Sequence, residues 1–138
     1  MKKFKFLKHT ADVKFQAFGR NLKEVFVNSS LAMLKTMSDE EIKEKIKKKI
    51  KIKGKDNESL LYNFLEEILF LFDSKNIIIG KVKNLKIKKN ELTAELLGDY
   101  AKNYEIKGYI KAVTYNEMFV KKQTKEKDKW TAQVVLDI

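Results

Sequence analysis

The last nine residues, Trp130-Thr131-Ala132-Gln133-Val134-Val135-Leu136-Asp137-Ile138, constrain this chain more than any other stretch. Their middle is β-branched and apolar, the composition of a buried strand, whereas a frayed tail would be polar. A chain that closes on a strand has its end held in place. Two carboxylates come with that end, the side chain of Asp137 and the α-carboxylate of Ile138. Fixed neighbouring carboxylates repel each other, and a cation is the usual remedy. What else points at that end is therefore the question for the rest of the sequence.

Taken in order, Phe4–Leu7 and Val13–Phe18 alternate apolar and polar residues, as two strands would, with His9-Thr10-Ala11-Asp12 between them. Gly19-Arg20-Asn21 breaks the pattern, and Asn21 with Glu24 three residues later is a capping-box-like helix start. Leu22, Val25, Phe26, Ala32, Met33 and Met37 continue at near-helical spacing, and Ser29, Ser30 and Ala32 give that helix a small-residue face for close packing on a sheet. Ser38–Lys45 is charged and reads as a turn or a short helical extension. Ile50 and Ile52 alternate with lysines in a half-buried strand within Lys47–Lys55. Asp56-Asn57-Glu58-Ser59 opens a second helix, acidic where the macrodipole favours it. Leu61, Phe64, Leu65, Ile68 and Phe72 follow at helical spacing to about Ser74, and this wide apolar stripe predicts a largely buried helix with Glu66 and Glu67 on its solvated side.

From Asn76 onward the expected elements are strands: Ile77–Ile79, Val82–Ile87, Leu92–Leu96, a long strand over Tyr104–Tyr115, Met118–Val120 and the closing strand. Lys89-Asn90 and Asn116-Glu117 are expected turns, Gly98-Asp99-Tyr100 an expected break, and Lys121–Lys129 an exposed loop. Two strands, a helix, a strand, a helix and then at least five strands make an α+β protein, with two helices packed on a mostly antiparallel β-sheet assembly. With no repeat, linker or low-complexity segment, residues 1–138 are expected to form a single domain.

Composition removes several classes of function. No cysteine excludes disulfides, thiolate zinc sites and a cysteine nucleophile, and one histidine excludes a multi-histidine metal site within the chain. No apolar run of about 18 residues is present, so no membrane helix is expected, and lysines interrupt the start where a secretory signal would need an apolar core. The expectation is an intracellular, cytoplasmic protein. The net charge of +11 would suit a nucleic-acid footprint, yet Arg20 is the only arginine, and arginine is the usual reader of bases and phosphates; a lysine-rich, isoleucine-rich, proline-free chain reads more as the proteome bias of a heat-loving or A/T-rich organism. The lysines of Lys47–Lys55 read either as a solvated face that blocks edge-to-edge pairing or as a strip facing phosphates.

Catalytic sets are missing. No glycine-rich phosphate loop exists, and His9 has no serine and acid placed by sequence to complete a triad. Nothing in the residues supports an enzyme. His9 reads as a structural histidine or a general base, and Asp12 as a turn cap or a site acid.

Four blocks go further. His9-Thr10-Ala11-Asp12-Val13, Leu60–Asp73, Lys111-Ala112-Val113-Thr114-Tyr115 and Trp130–Ile138 together resemble the archease family, in the right order and across the whole chain. The resemblance implies a small α+β protein, not itself an enzyme, that assists the GTP-dependent RNA ligase of tRNA splicing by promoting its guanylylation and multiple turnover. It also implies a divalent-cation site at Asp12, Asp137 and the terminal Ile138, with His9 a neighbour and not a ligand. Oxygen-only ligands favour calcium, with magnesium or manganese as alternatives, over zinc. Where the family commonly has a histidine after the Lys-Ala-Val-Thr-Tyr block, this chain has Asn116. The other reading is a basic RNA-binding or chaperone-like module, using the lysines of Lys47–Lys55 and Lys121–Lys129, with only weak or indirect RNA contact if the ligase is the true partner.

Overall fold

A computed structural model describes residues 1–123, 125 and 128–138. Its elements are β1 (Phe4–Leu7), β2 (Asp12–Gly19), α1 (Leu22–Met37), β3 (Ile46–Lys53), α2 (Asn57–Lys75), β4 (Ile77–Lys88), β5 (Glu91–Tyr100), a 3-10 turn at Ala101–Asn103, β6 (Ala112–Lys122) and β7 (Trp130–Asp137). The strands form two antiparallel sheets, β1-β2-β7-β6 and β3-β5-β4.

Both helices start where their side chains cap them. The Asn21 side chain accepts from the Glu24 N–H at 2.9 Å. Asp56 and Ser59 form a reciprocal box, with Ser59 N–H donating to Asp56 at 2.7 Å and Asp56 N–H donating to the Ser59 hydroxyl at 3.1 Å. These bonds satisfy amide groups that have no partner within a helix. α2 ends on Asn76 in the left-handed region, whose N–H returns to the Leu71 and Phe72 carbonyls.

The helices lie between the sheets. α1 packs on β1, β2 and β7 on one side and on β4 on the other, and α2 packs on β6 and on β3, β4 and β5. A helix flanked by two sheets must be apolar on more than one face, which accounts for the wide stripe of α2. Leu60, Leu61, Phe64 and Leu65 are fully buried, and Phe26 of α1 meets Phe64 at 5.9 Å between ring centres. Phe70, at the outer limit of the stripe, is half exposed. β7 is central in its sheet and buried from Thr131 to Leu136, as its composition requires.

Among the described residues four strands follow α2, not five or more. Ile77–Ile79 and Val82–Ile87 belong to one strand, β4, interrupted by register shifts around Gly80 and between Lys83 and Lys86. Gly98 is no break: β5 runs through it to Tyr100, because a Cβ there would collide with the carbonyl oxygen of Ile78 on the neighbouring strand. Among the described residues, residues 104–111 form no strand of their own, and only Lys111 reaches a strand backbone, at Asp137 O. They cross the C-terminal end of α1, where Lys107 N–H donates to Met37 O at 2.8 Å and Gly108 passes close to Thr36 O. Asn116-Glu117 is not a hairpin turn but part of a wide bulge: between Thr114 and Phe119 the β6 chain leaves the ladder while β7 advances from Val135 to Gln133. Ser38–Lys45 is irregular, with Ile42 buried. Within the Lys121–Lys129 loop, Thr124, Glu126 and Lys127 lie outside the described residues.

Candidate metal centre

Strand register brings the acids together. Asp12, the first residue of β2, is the direct cross-strand partner of Asp137, the last residue of β7. Directly opposed side chains share one face of a sheet with their Cβ atoms about 5 Å apart, and like charges there destabilise the pair. Asp137 also stands opposite Ala112 of β6, and Lys111 N–H donates to the Asp137 carbonyl at 2.7 Å. The chain end is thus held by backbone on both sides. Ile138 follows at once, 43% exposed.

Asp12 leaves a bend at Ala11, which has a φ of 64°. A residue with a Cβ is strained in that region, at about 1–2 kcal/mol. The bend turns His9 back over the start of β2. Its Nδ1 lies 3.5 Å from Asp12 Oδ2, and its Nε2 lies 3.1 Å from Glu117 Oε2. Lys14 donates to the other oxygen of Glu117 at 3.1 Å. Hydrogen bonds from Lys14 and then His9 hold the Glu117 carboxyl below its ordinary value. His9 Nδ1 is buried and makes no hydrogen bond. The Asp137 carboxylate pairs with no side chain among the described residues.

These donors suit a hard cation. Two side-chain carboxylates stand opposite each other at the rim of a sheet, and among the described residues their oxygens meet no other side chain apart from the 3.5 Å contact of Asp12 with His9 Nδ1. Among the described residues no three His, Cys, Asp or Glu side chains are placed to hold a metal ion, so the side chains alone do not complete a site.

Glu117 was not legible as part of this neighbourhood. Its position, 105 residues from Asp12 in sequence, depends on the β6 bulge, where Glu117 has a φ of 54°. The bulge is braced by Gln133 Nε2 donating to Glu117 O at 2.8 Å and by Tyr115 stacking on Tyr62 of α2 at 4.2 Å. The one sequence signal is a polar Asn-Glu pair inside an otherwise strand-like run. Asn116 is exposed in the same bulge, with its N–H directed to the Thr114 hydroxyl at 3.3 Å.

Next to Asp12 lies a hollow of about 470 Å³ lined by Phe6, Val13, Lys14, Lys35 and Lys107. A larger cleft, about 710 Å³, opens between the end of α2 and the 3-10 turn, lined by Phe72, Tyr100, Tyr104 and Tyr109. The buried acid closest to it in sequence, Asp99, is fully engaged: it accepts from the Tyr104 hydroxyl at 2.8 Å and from Tyr100 N–H at 2.8 Å. Those bonds, Tyr104 foremost, hold its carboxyl below the usual range, which marks a structural latch. Glu66 and Glu67, expected on the solvated side of the helix, are half-buried, because α2 is flanked by two sheets.

A sheet–helix–sheet α+β protein that presents an acid pair at its chain end is a distinctive type, and comparison with known proteins places it. The model of the archease protein family matches residues 4–138, and the chain belongs to that family. Protein archease of Methanosarcina barkeri is 40% identical over 147 residues, covering 99% of this chain and 97% of the relative. That of Methanothermobacter thermautotrophicus is 36% identical with both chains fully covered. A solution structure from Methanobacterium thermoautotrophicum superposes with a TM-score of 0.83 at 34% identity, over 100% of both chains. A crystal structure of an archease from Thermotoga maritima, described as a possible chaperone, shares the fold with a TM-score of 0.66 at 19% identity, over 96% of this chain and 94% of that one. No helix of the described residues is long and apolar enough to cross a membrane.

Proposed function

We propose that this chain is an accessory factor of the GTP-dependent tRNA-splicing RNA ligase, promoting guanylylation of the ligase and its repeated turnover through a carboxylate-bound divalent cation. Family membership supports the accessory role. The observation that carries the site is the register that sets Asp12 opposite Asp137 at the end of the sheet. Asp12, Asp137 and a main-chain oxygen of Ile138 are the proposed ligands, and calcium the preferred ion, with magnesium or manganese able to take the same oxygen donors.

Bound there, the cation would supply positive charge to offset the phosphates of GTP during guanylylation. The chain's own residues do the rest. β2 and β7 fix the spacing of the two acids, and the Lys111 amide holds the chain end against them. Glu117, itself held by Lys14, orients His9 beside Asp12, a supporting contact of the kind that positions ligands around metals.

The test is to mix purified ligase, GTP and this protein and to follow covalent guanylylation. The wild-type chain should accelerate it, and Asp12→Ala and Asp137→Ala should each lose most of the effect while remaining folded. A wild-type chain that gives no acceleration refutes the proposal.

A further inference from the structure

The outer face of the β3-β5-β4 sheet carries a regular array of like charge. On β3, Lys47, Lys49, Lys51 and Lys53 pair with Leu97, Glu95, Thr93 and Glu91 of β5. On the other side of β5, Lys81, Lys83, Lys86 and Lys88 pair with those same four residues in the same order. Each of these four rungs on the outer face therefore reads Lys–X–Lys. All eight lysines are exposed; Glu91 and Glu95 stand between the rows, Glu91 3.6 Å from Lys51, and Glu44 lies 3.6 Å from Lys83.

The second row is not what a regular strand would give. Lys83 and Lys86 are three residues apart, and alternation would place them on opposite faces. The register shift between them, at Asn84 with its φ of 54°, absorbs the odd step. It keeps Val82, Leu85 and Ile87 facing the core and all four lysines facing out. The spacings follow from sheet geometry: about 7 Å between successive lysines along a strand and about 10 Å between the two rows.

We infer that this face binds the phosphodiester backbone of a nucleic acid without reading its sequence. The chemistry distinguishes this occupant from others. The middle row offers Glu91, Thr93, Glu95 and a buried Leu97, with no exposed aromatic or large apolar side chain. A protein interface is built around such a side chain, and a membrane-surface site inserts one into the headgroup layer. A polyanionic backbone needs only spaced cations and a flat surface. With lysine as the sole cation, and no forked donor to reach base edges, the contact is positional. The face lies on a different sheet from Asp12 and Asp137, so the inference stands apart from the metal centre.

The probe is a labelled 20-nucleotide single-stranded RNA, read by fluorescence anisotropy between about 50 and 200 mM salt. If all eight lysines contact phosphates, log K should fall against log salt with a slope of about −5 to −6, a loss of about a thousandfold over that range. Replacing Lys49, Lys51, Lys83 and Lys86 with Gln should roughly halve the slope, and Lys→Arg at the same four positions should restore it. A matched control, Gln at Lys3, Lys8, Lys23 and Lys75, removes the same charge elsewhere and should leave the slope near wild type. Melting curves of each variant establish folding, and the half sets, Gln at Lys49 and Lys51 or at Lys83 and Lys86, each expected to remove about a quarter of the slope, keep the test valid if the four-residue set unfolds. Equal weakening by the control set means diffuse attraction to net charge and overturns the inference, as does an unchanged slope in the four-lysine variant. Tight, lysine-dependent binding to phosphatidylserine vesicles with no RNA binding would overturn it in favour of a membrane.

Discussion

Removing one carboxylate from the Asp12–Asp137 pair should have opposite effects with and without a cation. Take Asp137→Asn, which keeps the shape of the side chain and the backbone bond from Lys111. In chelator, the wild-type chain holds two like charges directly opposite on adjacent strands. Relief of such a pair is worth about 0.2–1 kcal/mol. With about 2.1 cal/mol/K of unfolding entropy per residue, 138 residues give roughly 0.29 kcal/mol/K, so each kcal/mol moves the melting temperature by about 3–4 °C. The variant should then melt about 1–3 °C above wild type in chelator. In calcium at about 100 times the dissociation constant, binding adds about 2.7 kcal/mol to the folded state. Wild type should rise by about 9 °C, while the variant should rise by little or nothing. Differential scanning fluorimetry with a calcium titration reads both effects. A variant that is less stable than wild type in chelator, or that keeps the full calcium shift, would refute the reasoning about the acid pair.

Other expectations concern the frame and its charges. Gly98→Ala drives a methyl group into the Ile78 carbonyl on a neighbouring strand, and urea denaturation should show a loss of about 3 kcal/mol or more. Burial, and then the nearby Asp73, raise the Glu66 carboxyl above its ordinary value. Its folded-state stability is therefore greatest below its unfolded pKa and is lost as pH rises through the raised one, so Glu66→Gln should stabilise the fold at pH 7 and leave it unchanged at about pH 3, read by urea denaturation at both. Asp39, bonded to Lys107 and Lys35, is held down to about 2. Its contribution is present above its unfolded value near 4 and is lost as pH falls through about 2; an NMR titration should place its midpoint there, and a midpoint near 4 would remove the ion pairs from solution.

What could be read from the sequence was local. Asn21 with Glu24 and Asp56 with Ser59 announce helix starts through bonds made within a single turn. The stripe of α2 and the apolar run of β7 report burial that follows from periodicity alone. What could not be read depends on which segments meet. Residues 104–111 have the alternation of a strand, with Ile110 buried and Tyr109 exposed, yet they have no ladder partner because they run across the end of α1. Gly98 looks like punctuation until the neighbouring Ile78 carbonyl is in place. The helices sit between two sheets instead of covering one, a choice of layer order that periodicity does not encode.

The same division holds for the site. Asp12, Asp137 and Ile138 stand out in the sequence through the blocks shared with the archease family and the carboxylates at the chain end, while the juxtaposition of Asp12 and Asp137 is a matter of β2–β7 register. Glu117 entered through a bulge that only the packing of Tyr115 on Tyr62 and of Gln133 on the Glu117 carbonyl defines. The second lysine row was hidden by the three-residue step from Lys83 to Lys86, which the bulge at Asn84 corrects.

The most direct measurement is an anomalous difference map from crystals of this protein soaked in manganese. A peak within about 2.5 Å of oxygens from Asp12, Asp137 and Ile138 is the predicted result. Strong manganese binding elsewhere, with no density between β2 and β7 at residues 12 and 137, would contradict the proposed cation site.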